Sequence, residues 1–270
     1  VYAWVLYELA KTKEEYERSL RKFNLMIEGL KDNNYPFGFG GRGLVNYELN
    51  NYEQAIEDLN KSLPEDGGWA RGFAVRGWAK YYLAETKEAY EDALQDFNNA
   101  IEMYEEEANH YSVSGRGYVY FALERYEEAS KDLSRALEKF ADWSAGYIYL
   151  AKSYDNLSEH NKALEVYGQA LKHVKNKARI FHERGNYYEE CGHFDEAFED
   201  YQKALKEDKA KSWTIGSIAE FYQRGLAVEQ DYQKAFELFQ QAYDLQLKED
   251  YVDYFNATLI NAYFQEIGTK

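Results

Sequence analysis

The sequence predicts an all-α fold built from tandem helical hairpins, and three observations carry that prediction. First, Val75 to Leu94 repeats Val1 to Leu20 without a gap. Trp4 falls on Trp78, Leu9-Ala10 on Leu83-Ala84, Thr12-Lys13-Glu14 on Thr86-Lys87-Glu88 and Tyr16-Glu17 on Tyr90-Glu91. Second, a small residue recurs at Ala3, Gly43, Gly77, Gly117, Ala151, Gly185 and Ala219, at intervals of 40, 34, 40, 34, 34 and 34. Third, each is followed by an aromatic, a small residue, an aromatic or leucine and another small residue, spaced by three, four and three. Such spacings place the marked residues on one stripe of a helix. Small residues let two helix axes approach, and large ones fill the space beside them.

Each element follows from these columns. The second-helix motif is clearest at Tyr52/Ala55/Leu59/Ser62, Tyr90/Ala93/Phe97/Ala100 and Tyr126/Ala129/Leu133/Ala136. It continues at Phe194/Ala197/Tyr201/Ala204 and Tyr232/Ala235/Phe239/Ala242, with looser copies at His160/Ala163/Tyr167/Ala170 and Tyr16/Ser19/Phe23/Met26. First helices carry stripes such as Val113/Gly117/Tyr120, Tyr147/Ala151/Tyr154 and Phe181/Gly185/Tyr188. Asn50-Asn51 and Gly192-His193 are suited to a left-handed helix stop. The expected units cover 1–30, 36–64, 69–106, 110–140, 144–174, 178–208 and 212–246, as one domain. The small residue of the first helix precedes that of the second by 16 positions in units one, three and seven, and by 12 in the others. The four extra residues amount to about one helical turn. Pro36 to Gly43 holds four glycines, costly in a helix, so either backbone approaches closely there or the helix starts late. A terminal helix over 249–267 reads as a cap, or as the first helix of an eighth unit. The chain begins inside a repeat, so sequence upstream of Val1 is expected.

Paired helices in units of about 34 residues with this small and aromatic pattern resemble tetratricopeptide repeats. Tyr222-x-x-Gly225-x-Ala227-Val228-x-x-Asp231-Tyr232-x-Lys234-Ala235 is similar to the longer Sel-like variant. The resemblance implies a right-handed superhelical solenoid whose first helices line a concave, protein-binding face. It also provides an exclusion. The clamp that holds chaperone C-terminal tails would need Lys and Asn on one first helix and further Asn, Lys and Arg on the next two. Only Asn186 matches, with His182 where the clamp lysine belongs.

Arg42, Arg76, Arg116 and Arg184 each precede the small glycine, and those same four units carry Asp58, Asp96, Asp132 and Asp200 three residues after the second-helix small residue. The other units have Tyr2, Leu150 and Ile218 in the first column, and Lys22, Val166 and Leu238 in the second. Arginine and aspartate occur together or not at all. The expectation is an ion pair between the two helices of a unit, not an anion-binding ladder.

For the first helices, the columns three before and one, four and five after the small residue form one face. In the N-terminal half it carries Trp4, Tyr7, Tyr47, Trp78, Tyr81, Tyr82, Tyr118 and Phe121, with Gly40, Ala74 and Ser114 leaving room. In the C-terminal half it carries Lys152, His182 and Asn186 among carboxylates and amides. Aromatics give large contact area at low entropic cost, so the first half is expected to hold the apolar anchors of a partner peptide.

The formal net charge of -16 disfavours phosphate backbones and anionic membranes, and favours a neutral or basic partner. One cysteine, Cys191, excludes an internal disulfide and suits a reducing, cytoplasmic compartment. Cys191 and His193 have no third ligand or base, and no glycine-rich phosphate loop follows a strand. No catalysis, metal or cofactor is therefore expected. The expected role is a scaffold or adaptor that captures a partner's peptide or helix. The alternatives are a regulatory or sensor module of a larger protein, and a solenoid that self-associates through its ends.

Overall fold

A computed structural model of the chain describes residues 2–29, 36–63, 69–103, 110–208 and 211–248. Among these the chain forms fourteen helices and no strand. They are α1 (Tyr2–Leu9), α2 (Lys13–Gly29), α3 (Pro36–Glu48), α4 (Tyr52–Ser62), α5 (Ala70–Leu83), α6 (Lys87–Glu102) and α7 (His110–Ala122). Then follow α8 (Tyr126–Leu137), α9 (Ser144–Asn156), α10 (His160–His173), α11 (Ala178–Glu190), α12 (Phe194–Glu207), α13 (Ser212–Arg224) and α14 (Tyr232–Lys248). The terminal helix expected at 249–267 lies outside the described residues. The chain divides into two compact units, Val1–Phe140 with Lys152–His160, and Ala141–Ala151 with Asn161–Lys270. No described helix is long and apolar enough to cross a membrane.

Packing within each hairpin follows the small-residue columns. Ser19, Ala55, Ala93, Ala129, Ala163, Ala197 and Ala235 are all completely buried. In α2 the column carries a hydroxyl, and Ser19 Oγ donates to Ala3 O at 3.0 Å, so its polarity is satisfied inside the hairpin. Four residues on, Phe23, Leu59, Phe97, Leu133, Tyr167 and Tyr201 fill the space between the helices and are also fully buried. In the first unit the core runs through Phe23, Leu44, Val45 and Leu59 to Phe73 and Val75, with a second cluster around Trp78, Phe97 and Val119. In the second unit Phe198, Tyr201, Ile218 and Phe221 form the corresponding cluster.

The glycines of α3 choose between the two readings of that segment. The helix starts at Pro36, so it does not start late. Instead, backbone approaches closely. A Cβ on Gly43 would stand 2.8 Å from Leu59 Cγ, one on Gly40 2.6 Å from Ser62 Oγ, and one on Gly41 would overlap the Phe23 ring. Gly115 meets Phe97 in the same way, and both pairs are separated by 74 residues.

Two kinds of turn join the hairpins. In the units with the shorter spacing, Asn50, Glu124, Ser158 and Gly192 adopt positive φ near 60–76°. The next amide then donates back five residues, as in Asn51 N to Asn46 O and His193 N to Tyr188 O, both 2.8 Å. This is the Schellman closure, which satisfies carbonyls at a helix end. In units one and three the longer spacing mostly adds a first turn to the second helix, and threonine caps it. Thr86 Oγ1 accepts from Ala89 N at 3.2 Å, and Thr12 exchanges bonds with Glu15 in a capping box. Unit seven differs, because its extra residues lie in the loop between α13 and α14, opened by Gly225 and Ala227 at positive φ. The expectation of one added helical turn therefore fits two of the three long units.

Each of the four arginines lies against the aspartate of its own hairpin. Arg42 Nε and Nη2 donate to Asp58 at 2.8 and 2.7 Å, and Arg76 to Asp96 at 2.8 and 2.6 Å. Arg116 to Asp132 and Arg184 to Asp200 repeat the bidentate geometry. A third partner extends the contact beyond the hairpin. Arg42 Nη1 donates to Asn24 Oδ1 at 3.0 Å, Arg76 to Asn60 at 2.9 Å and Arg116 to Asn98 at 3.1 Å. These asparagines stand on α2, α4 and α6, the second helices of the preceding hairpins. Each of these three arginines thus ties its own hairpin to the one before it.

Arg184 has no such acceptor among the described residues. The equivalent position on α10 is Gly168, where a Cβ would meet nothing within 4 Å. Gly168→Asn is expected to supply the missing acceptor and to remove a mid-helix glycine. The gain is about 1 kcal/mol, read as a raised unfolding midpoint. An unchanged or lowered midpoint would show that the interhelical bond contributes nothing there.

Candidate functional site

The aromatic residues of the first unit form two clusters built on one plan. Around Trp4 stand Phe23, Phe37, Trp69 and Tyr7, with ring centroids 5.6 to 6.3 Å away. Around Trp78 stand Phe97, Tyr111, Tyr118 and Tyr81, at 5.6 to 5.7 Å. Trp4, Phe23, Phe37 and Tyr7 precede Trp78, Phe97, Tyr111 and Tyr81 by 74 positions each. Tyr82 then stacks on Trp78 and on Tyr52, the latter at 4.9 Å with an interplanar angle of 19°. Offset and edge contacts of this kind add to the area they bury.

This geometry corrects part of the expected binding face. Trp78 is only 7% exposed and Tyr7 only 5%, so both belong to the core. The physical reason is crowding, since five rings close over Trp78 and leave no open side for a partner. Gly40, Ala74 and Ser114 leave no room either, because all three are buried and Gly40 lies against Ser62 and Trp69. Trp4, Tyr47, Tyr81, Tyr118 and Phe121 are half-buried. Tyr81 and Tyr118 lie 5.8 Å apart, and Phe121 packs edge-on against Tyr126. Tyr82 is 51% exposed.

The exposed part of the face includes a column beyond those expected from the helical period. Phe37, Arg71 and Tyr111 each stand six residues before the small glycine, on α3, α5 and α7. Phe37 is 70% and Tyr111 40% exposed, and the Arg71 side chain is half exposed. The signal is present in the sequence, because six positions back is one more turn of the same stripe. Arg71 Nη2 donates to Tyr7 Oη at 2.8 Å and Nη1 pairs with Glu8 at 2.9 Å. Tyr111 Oη lies 3.0 Å from Tyr47 Oη. Burial raises the Glu48 carboxyl above its ordinary range, against the pull of Arg71 and a hydrogen bond with Tyr7.

Burial also pushes the Tyr7 phenol from 10.0 up to about 12, with Arg71 opposing the shift. Tyr47 is raised by burial and then by Tyr111. A raised folded-state value means that the neutral phenol is favoured by folding. The stabilisation is complete below the unfolded value of 10.0 and is lost as pH rises through about 12. The unfolding midpoint is expected to stay level towards pH 10 and to fall above it, and Tyr7→Phe should soften that fall.

The second unit presents a polar face. Tyr201 Oη lies 2.8 Å from Asn186 Oδ1 and 2.9 Å from Glu189 Oε2, and Arg224 Nη1 donates to Glu189 at 3.0 Å. Burial, then the Glu189 charge, raises both Tyr201 and Glu220 above their usual ranges. His182 stands edge-on to Trp213 with centroids 4.1 Å apart. Lys152, on the segment of α9 that belongs to the first unit, is exposed. Cys191 is exposed at the end of α11. Among the described residues no three His, Cys, Asp or Glu side chains gather as a metal-binding set.

Comparison with known proteins agrees with the hairpin geometry. Tetratricopeptide repeat family models match residues 178–211 and 115–138. The small glutamine-rich tetratricopeptide repeat-containing protein 2 of Saccharomyces cerevisiae is 28% identical over 82 residues, which span 30% of this chain and 23% of that protein. In fold, the chain is similar to the C-terminal part of a tetratricopeptide repeat-containing protein from Cytophaga hutchinsonii. That match has a TM-score of 0.63 and 16% identity, over 91% of this chain and 95% of the other. Yeast Tom70 gives a TM-score of 0.64 at 16% identity, over 94% of this chain and 55% of its own. Residues 115–138 and 178–211 thus match tetratricopeptide repeats in sequence, and the tandem hairpins share the fold of tetratricopeptide repeat proteins.

Proposed function

We propose that the first unit captures a peptide or helix of a partner protein on the face of its first helices. The observation that carries this reading is the run of exposed Phe37, Arg71, Tyr111 and Tyr82 over a rigid aromatic base. The base fixes the rings beforehand, so little side-chain entropy is lost on binding. The aromatic rings offer apolar anchors, and Glu8 and Glu48 beside Arg71 suit a partner that carries a positive charge.

A photo-crosslinking residue placed at position 82 should capture the partner from the native source, for identification by mass spectrometry. Phe37→Ala should then weaken capture at an almost unchanged unfolding midpoint, and Tyr111→Ala, whose ring also covers Trp78, should weaken capture with some loss of stability. Trp78→Ala should instead lower stability by about 3 kcal/mol, as expected for truncating a large core aromatic. Capture that survives both surface substitutions would defeat the proposal.

Self-association is a second reading, favoured by one observation. Val5 is 47% exposed, whereas Val45 and Val119, at the same repeat position, are fully buried. Tyr2 and Leu9 extend that apolar surface along α1. A mass that rises with concentration in light scattering, and that Val5→Asp abolishes, would favour self-association.

A further inference from the structure

We propose that the second unit carries a binding site for a phosphate monoester, separate from the aromatic face of the first unit. The site is a cleft of about 530 Å³ lined by Arg179, His182, Lys211 and Trp213, with Asn176 and Ser144 at its wall. Its lining runs against the chain as a whole. In a molecule of net charge -16, this cleft gathers a guanidinium and an ammonium against one carboxylate, Glu183.

The two cations are only lightly committed. Arg179 is exposed and makes no ion pair among the described residues. The contact of Lys211 with Asp208 is long, at 3.6 Å, and both side chains are partly exposed. Donors dominate the remaining wall. Asn176 Oδ1 already accepts from Ala178 N at 3.2 Å, which leaves its amide hydrogens to donate. The Ser144 hydroxyl adds another donor. Lys211 is also the N-cap of α13, which has no side-chain cap, so the first amides of that helix supplement the cationic side chains.

Phosphate chemistry fits this donor set better than a flat carboxylate does. The donors come from the start of α9, the start of α11 and the start of α13, and so reach the cleft from three segments. A tetrahedral dianion presents oxygens in several directions, which suits donors arriving from three segments, and the guanidinium fork matches two of those oxygens. The cleft is larger than one phosphoryl group. The His182 and Trp213 rings, in edge contact at 4.1 Å, form an apolar wall for the organic part of the ligand.

The test is a titration of the whole chain, at constant ionic strength, with inorganic phosphate, O-phosphoserine, a phosphoserine peptide and acetate, followed by amide resonances. Saturable shifts are expected at Arg179 and at Ser212 to Thr214 with the phosphate probes and not with acetate. Arg179→Ala and Lys211→Ala should each weaken binding about tenfold, while Glu183→Gln should tighten it. Both cations are surface side chains, so the unfolding midpoint should hold in these variants. Tyr82→Ala should leave phosphate binding unchanged, which separates this site from the aromatic face. Tighter binding of the peptide than of O-phosphoserine would assign the phosphate to a protein partner, and equal binding to a free metabolite. The proposal is overturned if acetate competes as well as phosphate, if the shifts do not saturate, or if they persist in both alanine variants.

Discussion

Asp132→Val is expected to destabilise the chain by about 3 kcal/mol, and the double change Arg116→Leu with Asp132→Val to recover most of that loss. The Asp132 carboxylate is nearly buried and takes both parallel donors of Arg116, whose side chain is only 20% exposed. Removing the acid alone strands a guanidinium in a packed helix interface, where water replaces the lost bonds poorly. Replacing both partners removes the charge together with its desolvation penalty. The chain contains a precedent for the double change. Leu150 and Val166 occupy the same two columns in the fifth hairpin, and both are buried. Urea unfolding of wild type, both single variants and the double variant closes the cycle. A double variant no more stable than Asp132→Val would mean that the pair supplies stability that an apolar pair cannot replace.

Gly41→Ala should also be damaging, although alanine is the better helix former. The helical preference favours alanine by about 1 kcal/mol. The added methyl, however, would lie inside the Phe23 ring, which is fully buried against Trp4. Forcing the ring aside in a filled core costs more than the helix gains, for a net loss of about 2 kcal/mol. Gly115→Ala meets Phe97 in the same geometry and should behave alike. Gly216→Ala is the internal comparison, since its helix position is open and the change should be neutral or stabilising. A stable Gly41→Ala variant would show that Phe23 has a second rotamer available within the hairpin.

The fold is largely legible in the sequence because its packing repeats. The columns of Ala55, Ala93 and Ala129 announce close helix contacts through residue size and spacing alone. Arginine and aspartate can be joined because seven hairpins act as independent trials, and the two residue types come and go together. The candidate face is less legible. Helical period says which side of α5 Trp78 occupies, but its burial is decided by Tyr111 and Tyr118 from the next hairpin. That depends on the packing between hairpins, which no single-helix pattern contains. Phe37, Arg71 and Tyr111 escape the pattern because the expected face stops one turn short. The glycines of α3 fit two readings, and only the helix start and the positions of Phe23, Leu59 and Ser62 decide between them. Positive φ at Glu124 and Ser158 is not announced by residue type, and follows from closing the same turn as Asn50 and Gly192.

The contact from Arg42, Arg76 and Arg116 back to Asn24, Asn60 and Asn98 bears on how such a chain can be cut and rejoined. The asparagine belongs to one hairpin and the arginine to the next, so a cut between hairpins divides the bond. A copied repeat brings an arginine at its front and an acceptor, or none, at its back. Whether it fits a new neighbour then depends on one side chain across the junction. Gly168, at the acceptor position of the hairpin before Arg184, offers no side chain for that bond. Anyone shuffling these hairpins would therefore choose fragments that begin at the asparagine and end after the aspartate.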